Sequence, residues 1–454
     1  MGLLAAHLND AGILVLSGEK VLYREPGFAL LDDNRLVTGA AAFANASLKP
    51  RWMQYHYWSN LHTEPLPDRR FHHLSNADLV SRQLEQLWKT VSPYGDRLAV
   101  AVPSYMTNEN LGLLLGIAAE LEIPVVAMVD AAVAATRRRY EHAVLTHIDF
   151  SLHTTMLTRL LQESQVQVER SAVIEDAGLL ALHDNWLKTI AEAFVQQSRF
   201  DPLHTAETEQ MLQDRMPEWL AAASSAETIS LEVEYRGNTH RIELESLELI
   251  AAAAPIYQRI VSNLRAFYKA EDTPAIQLTD RAARMPGLAE TLKARVGGEV
   301  FILEPGATAR GLIKRCPADH KSGGINLTRH LPWDQATVQV RVDDADNDGG
   351  QPTHLLFGHN AFSLRGEPLV LGSQPVDGER WLDLQLEMGG VSRRHCVISA
   401  SNGQCILTDH SRYGTFLNGH RIDGTAVLQT GDLIRVGSPG FELRLIAAEQ
   451  DSGS

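Results

Sequence analysis

The sequence changes character within residues 317–353, and this change limits what the chain can fold into. The stretch contains the polar run KSGG and the acidic run DDADNDGG, a composition typical of a flexible connector. Before it, apolar strand patterns alternate with helical patterns, whereas after it short strands are separated by Gly, Asn, Asp and Ser turns. We therefore predict two folded parts, residues 1–316 and 354–448, a connector at 317–353 and a tail at 449–454.

The N-terminal part shows a strand–helix–strand order. DRLAVAVP, residues 96–103, reads as a buried strand, residues 108–121 have helical periodicity, and IPVVAMV follows as another buried strand. This order predicts a layered α/β domain with parallel strand pairing. Further along, ISLEVEYRGNTHRIELE predicts a β-hairpin that turns at residues 236–238.

Charge and composition argue against several classes of function. The net charge of −15 argues against a nucleic-acid partner, because phosphate backbones would be repelled. The three cysteines have neither metal-ligand nor disulfide spacing, so no metal site is expected. The longest apolar stretch is interrupted by Glu120, Glu122 and Asp130, which excludes an ordinary membrane span. The N-terminus lacks the pattern of a signal peptide, and we expect a cytoplasmic protein.

The C-terminal part carries residues suited to binding an anion. Ser392 offers a hydroxyl donor, and Arg393, Arg394 and Arg412 offer forked guanidinium groups that match phosphate oxygens. The neighbouring glycines, among them Gly414, permit tight turns that bring backbone N–H groups forward. This mixture of charge and converging donors predicts a phosphate-binding loop.

Four motifs then appear in a specific order: LVLGS, VSRRH, DHSRYGTFLNG and LQTGDLIRVG. Over residues 354–448 they resemble a forkhead-associated (FHA) domain. The resemblance implies an all-β sandwich whose loops bind phosphothreonine peptides. It implies that Ser392 contacts the phosphate, that His395 braces the loops, and that Asn418 and Gly419 shape a turn.

Two positions depart from the FHA pattern. The family's Gly-Arg pair, whose arginine contacts phosphate, is Gly372-Ser373 here, and the asparagine that holds the peptide backbone is replaced by Tyr413. Losing a charged hydrogen bond costs about 1.5–3 kcal/mol. Arg393, Arg394 or Arg412 could supply the missing charge, so the sequence leaves open both phosphothreonine binding and phosphate-independent partner binding.

The N-terminal part, residues 1–316, resembles the actin-like ATPase superfamily, and within it the nucleotide-binding domain of heat-shock chaperones of the DnaK type. The residues that carry the likeness are DRLAVAVPSYMTNENLGLLLGIAAELEIPVVAMVDAAVAA and QLTDRAARMPGLAETLKARVGGEVFILEPGATARGLI. The resemblance implies a two-lobed α/β body with ATP held between the lobes by glycine-rich hairpins. Chaperone activity is not implied, because the chain continues into the connector and the FHA-like part.

The three loops that would hold nucleotide all depart from that superfamily. In HLNDAGILV, His7 stands for the expected aspartate and Asn9 for the expected glycine. In DFSLHTTML, Asp149 and Thr154 remain, but SLH replaces a run of glycines. In LTDRAARMPGL, Asp280 and Arg281 replace the paired glycines beneath the adenosine. Side chains at these positions would crowd a phosphate.

These observations favour a non-catalytic adaptor without a cofactor. Its degenerate ATPase-like body would dock one protein, and its FHA-like part would recruit a second protein. That second protein would either be phosphorylated on Ser or Thr or be recognised without phosphate. The alternative is an ATP-gated switch or slow ATPase that uses Mg-ATP, for which Asp149 and Thr154 are the best support. A third hypothesis is an assembly protein that polymerises. The aromatic run RWMQYHYWSN is interpreted as a packing cluster rather than a ligand cage.

Overall fold

A computed structural model describes most of the chain. The described residues are 2–32, 35–140, 142–224, 226–316, 325–334, 352–357, 360–364, 366–375, 379–384, 391–401, 404–437 and 441–446. These described residues divide into two compact units, one formed by those up to residue 300 and between 308 and 334, and the other by residues 301–307 and those from 352 onward. No helix within the described part of the chain is long and apolar enough to cross a membrane.

The chain up to residue 334 alternates strands and helices. The strands are β1 (Leu3–His7), β2 (Ile13–Ser17), β3 (Lys20–Glu25), β4 (Ala29–Asp32), β5 (Arg35–Thr38), β6 (Met53–Gln54), β7 (Arg97–Val102), β8 (Val125–Asp130), β9 (Val144–Phe150), β10 (Thr155–Gln162), β11 (Gln165–Ile174), β12 (Thr228–Tyr235), β13 (Asn238–Glu245), β14 (Pro274–Leu278), β15 (Glu299–Ile302), β16 (Leu327–Thr328) and β17 (His330–Pro332). The helices are α1 (Ala40–Phe43), α2 (Asn76–Val91), α3 (Asn108–Glu120), α4 (Ala131–Ala135), α5 (Leu179–Ser198), α6 (Ala206–Ala223), α7 (Ser246–Arg265), α8 (Asp280–Ala283), α9 (Leu288–Val296) and α10 (Ala307–Arg315). Short 3-10 turns occur at Pro50–Trp52, Arg69–Phe71 and Ser92–Tyr94.

Two six-stranded sheets form the body of the first unit. The first has the order β16-β8-β7-β1-β2-β3 and the second the order β15-β14-β9-β10-β11-β17. In each, three consecutive strands form an antiparallel meander, and the first strand of the meander then pairs in parallel with a later strand: β1 with β7, and β9 with β14. The parallel pair β7–β8, joined through α3, confirms the predicted strand–helix–strand unit.

Each sheet has its own apolar core. We call the first sheet with α2 and α3 the first lobe, and the second sheet with α5 and α7 the second lobe. Helix α2 begins at a reciprocal cap in which Ser75 and Asp78 bond each other's backbone, and it buries its apolar face against the first sheet. Helix α5 buries Trp186, whose indole N–H donates to the Leu249 carbonyl oxygen 2.8 Å away. The hairpin β12–β13 turns at Arg236-Gly237, as the sequence predicts.

The connector predicted for residues 317–353 does not begin where its composition indicated. Residues 325–334 carry β16 and β17 and belong to the first unit. The physical reason is that Ile325, Leu327 and Leu331 are apolar and pack on the body, although the polar runs on either side conceal this pattern in the sequence. Residues 317–324 and 335–351, and the predicted tail at 449–454, lie outside the described residues.

The second unit contains a β-sandwich. Its strands are β18 (His354–Phe357), β19 (Asn360–Ser363), β20 (Leu369–Gly372), β21 (Arg380–Asp383), β22 (Cys396–Ser401), β23 (Gln404–Asp409), β24 (Thr415–Leu417), β25 (His420–Arg421), β26 (Thr425–Leu428), β27 (Leu433–Val436) and β28 (Phe441–Ile446). They form a six-stranded sheet, β19-β18-β28-β27-β24-β25, and a five-stranded sheet, β21-β20-β22-β23-β26. Alternating apolar residues from both sheets, such as Leu371, Ile398, Leu407 and Ile434, fill the core.

Candidate functional site

Three strand ends of the sandwich bring the predicted phosphate-binding residues together. Strand β20 ends at Gly372, β22 begins at Cys396 after the loop that carries Ser392, and β23 ends at Asp409 before the loop that carries Arg412. Because β20 pairs with β22 and β22 with β23, these strand ends lie side by side at one end of the same sheet, which we call the loop edge. Loops at the edge of a rigid sandwich are where binding residues are commonly placed.

Ser392 connects two of these loops. Its hydroxyl oxygen accepts a hydrogen bond from the backbone N–H of Arg412 at 2.9 Å, and its own backbone N–H donates to Nδ1 of His395 at 3.0 Å. Because the hydroxyl acts as an acceptor toward Arg412, its proton remains available to a ligand oxygen. Ser392 as a whole is half-buried.

His395 lies beneath the Ser392 loop and the Gly414 loop and bonds to the backbone of both. Its side chain is fully buried, and its Nε2 lies 3.2 Å from the carbonyl oxygen of Gly414. Since Nδ1 accepts the Ser392 N–H, the proton of the neutral ring belongs on Nε2, where it is donated to Gly414. Burial lowers the pKa of His395 to about 4. The imidazole is therefore neutral near pH 7 and fixes loop geometry rather than supplying charge.

Gly372 permits the closest approach between the loops. A Cβ added at Gly372 would lie 2.0 Å from the carbonyl oxygen of Arg393, far inside van der Waals contact. The next residue, Ser373, donates its backbone N–H to the Ser392 and Arg393 carbonyl oxygens and its hydroxyl to the Val391 carbonyl oxygen at 3.3 Å. The hydroxyl of Ser373 is thus engaged with the backbone at the position where the FHA pattern has an arginine.

The three arginines differ in what they contact. Arg394 forms an ion pair with Glu379. Arg393 and Arg412 are exposed, and within the described part of the chain no carboxylate pairs with either guanidinium group. The guanidinium carbon of Arg412 lies 5.8 Å from the centre of the Tyr413 ring, close enough for a cation–π contact. Among the described arginines of these loops, Arg393 and Arg412 are thus the ones whose guanidinium groups are exposed and have no carboxylate partner.

Residues that the sequence reasoning missed shape the Arg412 loop. One carboxylate oxygen of Asp409 accepts the Ser411 N–H at 3.0 Å and the Thr415 hydroxyl at 2.6 Å. The Ser411 hydroxyl accepts the Gly414 N–H at 2.9 Å. Gly414 itself has a φ of +92°, a conformation that glycine adopts without strain. An Asp followed by Ser and Gly is a turn signal that could have identified this role.

Asn418 and Gly419 form the turn after β24. Asn418 has a φ of +52° and Gly419 a φ of +85°, as a tight hairpin turn requires. The Asn418 amide donates to Asp432 at 2.7 Å, and its oxygen accepts the Leu433 N–H at 2.9 Å. These contacts join two turns of the sandwich and leave Asn418 with a structural role.

A second group of predicted residues meets where the loop after β1, the end of β9 and the start of α8 come together, at the position where the resemblance to the ATPases would place a nucleotide cleft. The amide of Asn9 donates to Oδ2 of Asp149 at 2.8 Å and to the Phe150 carbonyl oxygen at 3.0 Å. Asn9 and Asp149 are both buried. The two hairpin loops that would face a nucleotide therefore bond directly to each other.

Arg281 occupies the same region from the third loop. Its guanidinium donates to the Phe150 carbonyl oxygen at 2.7 Å and lies 3.5 Å from Oδ1 of Asp149, which also accepts the Thr279 hydroxyl at 2.7 Å. Burial opposes ionisation of Asp149, yet Arg281 and the two neighbouring histidines hold its pKa below the usual range. Asp149 is an ionised carboxylate whose oxygens are engaged by protein donors.

The second hairpin is closed by the start of helix α5. The backbone N–H groups of Gly178, Leu179 and Leu180 donate to carbonyl oxygens of residues 151–153 at 2.9–3.0 Å. These N–H groups at a helix N-terminus would otherwise be suited to an anion. Leu152 is buried in a small apolar cluster with Phe28 and Leu30. The Thr154 hydroxyl lies 2.9 Å from that of Ser151, so Thr154 also bonds within its own loop.

The histidines near the cleft fall into two groups. Burial lowers the pKa of His7 to about 4, although its Nε2 lies only 3.8 Å from Asp149. His153 is in contact with His56, their ring centres 3.6 Å apart, and its Nε2 lies 2.9 Å from the Tyr55 carbonyl oxygen. Among the described residues, no three His, Cys, Asp or Glu side chains form a group that could hold a metal ion.

Other predicted positions are placed away from the cleft centre. Asp280 lies in the first turn of α8, where its carboxylate forms an ion pair with Arg284. In the aromatic run, Tyr57 and Trp58 are buried and both donate to the Gln83 side-chain oxygen, at 2.6 and 2.7 Å. These two rings pack in the core of the first lobe. Asp10, which the sequence reasoning passed over, is buried and accepts the Leu152 N–H at 2.9 Å.

Comparison with known proteins identifies the sandwich. Residues 369–437 match the family model of the FHA domain. The chain is also similar to the transcriptional regulatory protein EmbR of Mycobacterium bovis and of two strains of Mycobacterium tuberculosis, with 27% identity over 178 residues. That alignment covers 38% of this chain and 44% of each relative, so the chain spans less than half the length of these relatives.

Proposed function

We propose that this protein is an adaptor that recruits a phosphothreonine-containing protein through its FHA domain. The observation that carries the proposal is the hydrogen bond between the Ser392 hydroxyl and the Arg412 backbone, which fixes a hydroxyl donor beside an exposed guanidinium group. An FHA domain is a protein-interaction module, and phosphorylation of the partner would make recruitment switchable.

Arg412, assisted by Arg393, takes the role of the arginine that is missing at Ser373. Both guanidinium groups are free of carboxylate partners within the described residues, whereas Arg394 is already neutralised by Glu379. A guanidinium–phosphate pair makes two charge-assisted hydrogen bonds and offsets the loss of one donor, about 1.5–3 kcal/mol. Tyr413 contributes apolar contact to the bound peptide in place of the absent asparagine.

The first unit is proposed to act as a non-catalytic docking body related to the actin-like and heat-shock-chaperone ATPases. Support comes from the strand order, since both six-stranded sheets combine an antiparallel meander with parallel pairing to its first strand. Further support comes from the cleft, where Asn9, Asp149 and Arg281 bond one another across the space that the resemblance assigns to nucleotide. No cofactor is proposed for this body.

A nucleotide-gated switch is the second candidate function. The observation that favours it is a pair of buried polar atoms, His7 Nε2 and Asp10 Oδ2, that lack a hydrogen-bond partner among the described residues. Such atoms are usually paired with protein, water or a ligand. If the cleft opens to Mg-ATP, Asp149 and Thr154 are the residues expected to face the metal and the phosphates.

The similarity to transcriptional regulatory proteins raises a related question about nucleic acid. The expectation that this chain does not bind nucleic acid rests on its net charge of −15. We propose that the chain acts through protein contacts and does not itself bind DNA. A mobility-shift titration with mixed-sequence duplex at low salt tests this, and a salt-sensitive complex at submicromolar protein would contradict it.

The recruitment proposal is tested with the full chain. It is titrated with a degenerate phosphothreonine peptide library and its unphosphorylated twin, and the bound fraction is sequenced. We expect selective retention of phosphorylated peptides, lost in Ser392→Ala. Equal retention of both libraries would show that the loop edge binds partners without reading phosphate, or does not bind peptides at all.

A further inference from the structure

Residues 325–334, which we call the strap, pair with both sheets of the first unit within a few residues. Leu327 and Thr328 pair in parallel with β8, at the edge of the first sheet. Residues 330–332 then pair antiparallel with residues 165–167 of β11, at the edge of the second sheet. The carbonyl oxygen of Arg329, between the two pairings, accepts the Val168 N–H at 2.9 Å.

The end of the strap is held by a buried ion pair. Asp334 accepts hydrogen bonds from Nε and Nη2 of Arg137, the first at 2.7 Å, and the side chains are only 7% and 1% exposed. The Asp334 backbone N–H also donates to the Arg137 carbonyl oxygen at 3.0 Å. Arg137 follows helix α4, which itself follows β8 of the first lobe.

A second buried arginine fastens the neighbouring backbone. Arg315, in the last turn of α10, donates to the carbonyl oxygens of Val133, Ala134 and Thr136 at 2.5–2.9 Å. It also reaches the Pro332 carbonyl oxygen of the strap at 3.4 Å. This one guanidinium therefore bridges the segment after β8 and the strap.

The geometry points to an interlobe clamp: we propose that the strap holds the two sheets at one separation, with Arg137–Asp334 as its lock and without need of a ligand in the cleft. Only Arg329 separates the residues paired with the first sheet from those paired with the second. Because each extended residue spans at most about 3.6 Å, this link has no slack. If the lobes hinged apart at this edge, one of the two pairings would be lost.

The clamp goes beyond the recruitment function, and its test does not depend on phosphopeptide binding. In the full chain, hydrogen–deuterium exchange with peptide-level mass spectrometry reports on Val168, whose N–H partner is on the strap. Spin labels at Lys89 on α2 and Lys188 on α5, both exposed, report the distance between lobes. The variants are Asp334→Ala and the milder Asp334→Asn, which keeps an acceptor oxygen. The matched control is Glu232→Ala, which removes an exposed ion pair to Arg241.

We expect Asp334→Ala to reduce protection in the peptide containing Val168 by about tenfold or more, and to broaden the interlobe distance distribution. The β10–β11 pairing near Ile174, away from the strap, should keep its protection. The proposal is overturned if a folded variant leaves Val168 protection and the distance distribution unchanged, or if protection falls equally across the unit. Should Asp334→Ala fail to fold, Asp334→Asn decides by the same two readouts, with a smaller shift expected.

Discussion

Arg281 and Arg412 show how differently the two units use the same kind of residue. Arg281 lies at the start of α8 in the first unit, where it donates to the Phe150 carbonyl oxygen and pairs with Asp149. Arg412 lies on the loop edge of the FHA domain, exposed, with its backbone fixed by Ser392. A largely buried guanidinium such as that of Arg281, whose side chain is 19% exposed, needs internal partners to offset its desolvation, whereas an exposed one keeps its donors for a ligand. The difference agrees with the two proposed roles, a structural one for Arg281 and a ligand-binding one for Arg412.

The largest effect that could break this comparison is expected from Asp149→Ala. Removing the carboxylate takes one buried acceptor from Asn9 and Thr279 and the anionic partner from Arg281, so the first unit should lose about 3–5 kcal/mol of stability. Urea denaturation measures the loss. The control Asp184→Ala removes an exposed partner of Lys188 and should cost no more than about 0.5 kcal/mol. A stable Asp149→Ala protein that has lost ATP turnover would favour the nucleotide switch instead.

The next effect concerns pH and the loops of the FHA domain. Burial lowers the pKa of His395 to about 4 from the ordinary 6.5, so its contribution to stability is complete above pH 6.5 and declines as the pH falls toward 4. The loss at pH 4 should reach about 3 kcal/mol.

Urea denaturation of the parent and of His395→Gln at several pH values measures this contribution. His7 and His183 also have pKa values lowered to about 4 by burial, so only the difference between parent and variant belongs to His395. Identical pH dependence in the two proteins would show that the His395 ring is not the group that couples loop stability to pH.

A smaller effect distinguishes among the exposed arginines. Arg412→Ala should weaken phosphothreonine-peptide binding by about 10- to 100-fold, because it removes a charged donor to the phosphate. Arg394→Ala is the matched control, since that guanidinium is paired with Glu379, and it should change the affinity by less than about threefold. Isothermal titration calorimetry of the full chain gives both values. Equal losses in the two variants would argue for diffuse charge attraction rather than a fixed contact.

The smallest effect is expected on the melting temperature when nucleotide is added to the full chain. Millimolar Mg-ATP should leave the melting temperature of the full chain unchanged, because the cleft side chains bond one another and α5 donates to the second hairpin. A ligand present at about 100 times its Kd would add about 2.7 kcal/mol of stability. Differential scanning fluorimetry with ADP and Mg²⁺ alone as controls makes the measurement. A rise in melting temperature that is specific to nucleotide would instead support the hypothesis that the first unit is a nucleotide-gated switch.

The sequence alone determined the features of the fold that depend on residues close together in the chain. The two-part division, the β7–α3–β8 unit and the hairpin turning at Arg236-Gly237 follow from periodicity and turn chemistry. Four ordered motifs carried the resemblance to an FHA domain, which the family match at residues 369–437 confirms, and the roles of Ser392 and His395 were implied by that resemblance. Asp409 was missed there because its role appears only when its two bonds to the following loop are seen.

The tertiary structure decided what depends on residues far apart in the chain. Arg281 and Phe150 are 131 residues apart, and Arg137 and Asp334 are 197 apart, so no local pattern shows that they meet. Composition predicted a connector at 317–353, yet the middle of that stretch pairs with two sheet edges. Unpaired strand edges and buried charges are satisfied by whichever segment the fold brings near them. Because packing decides which segment that is, the strap and the contacts of Asp149 with Asn9 and Arg281 became visible only in the folded molecule.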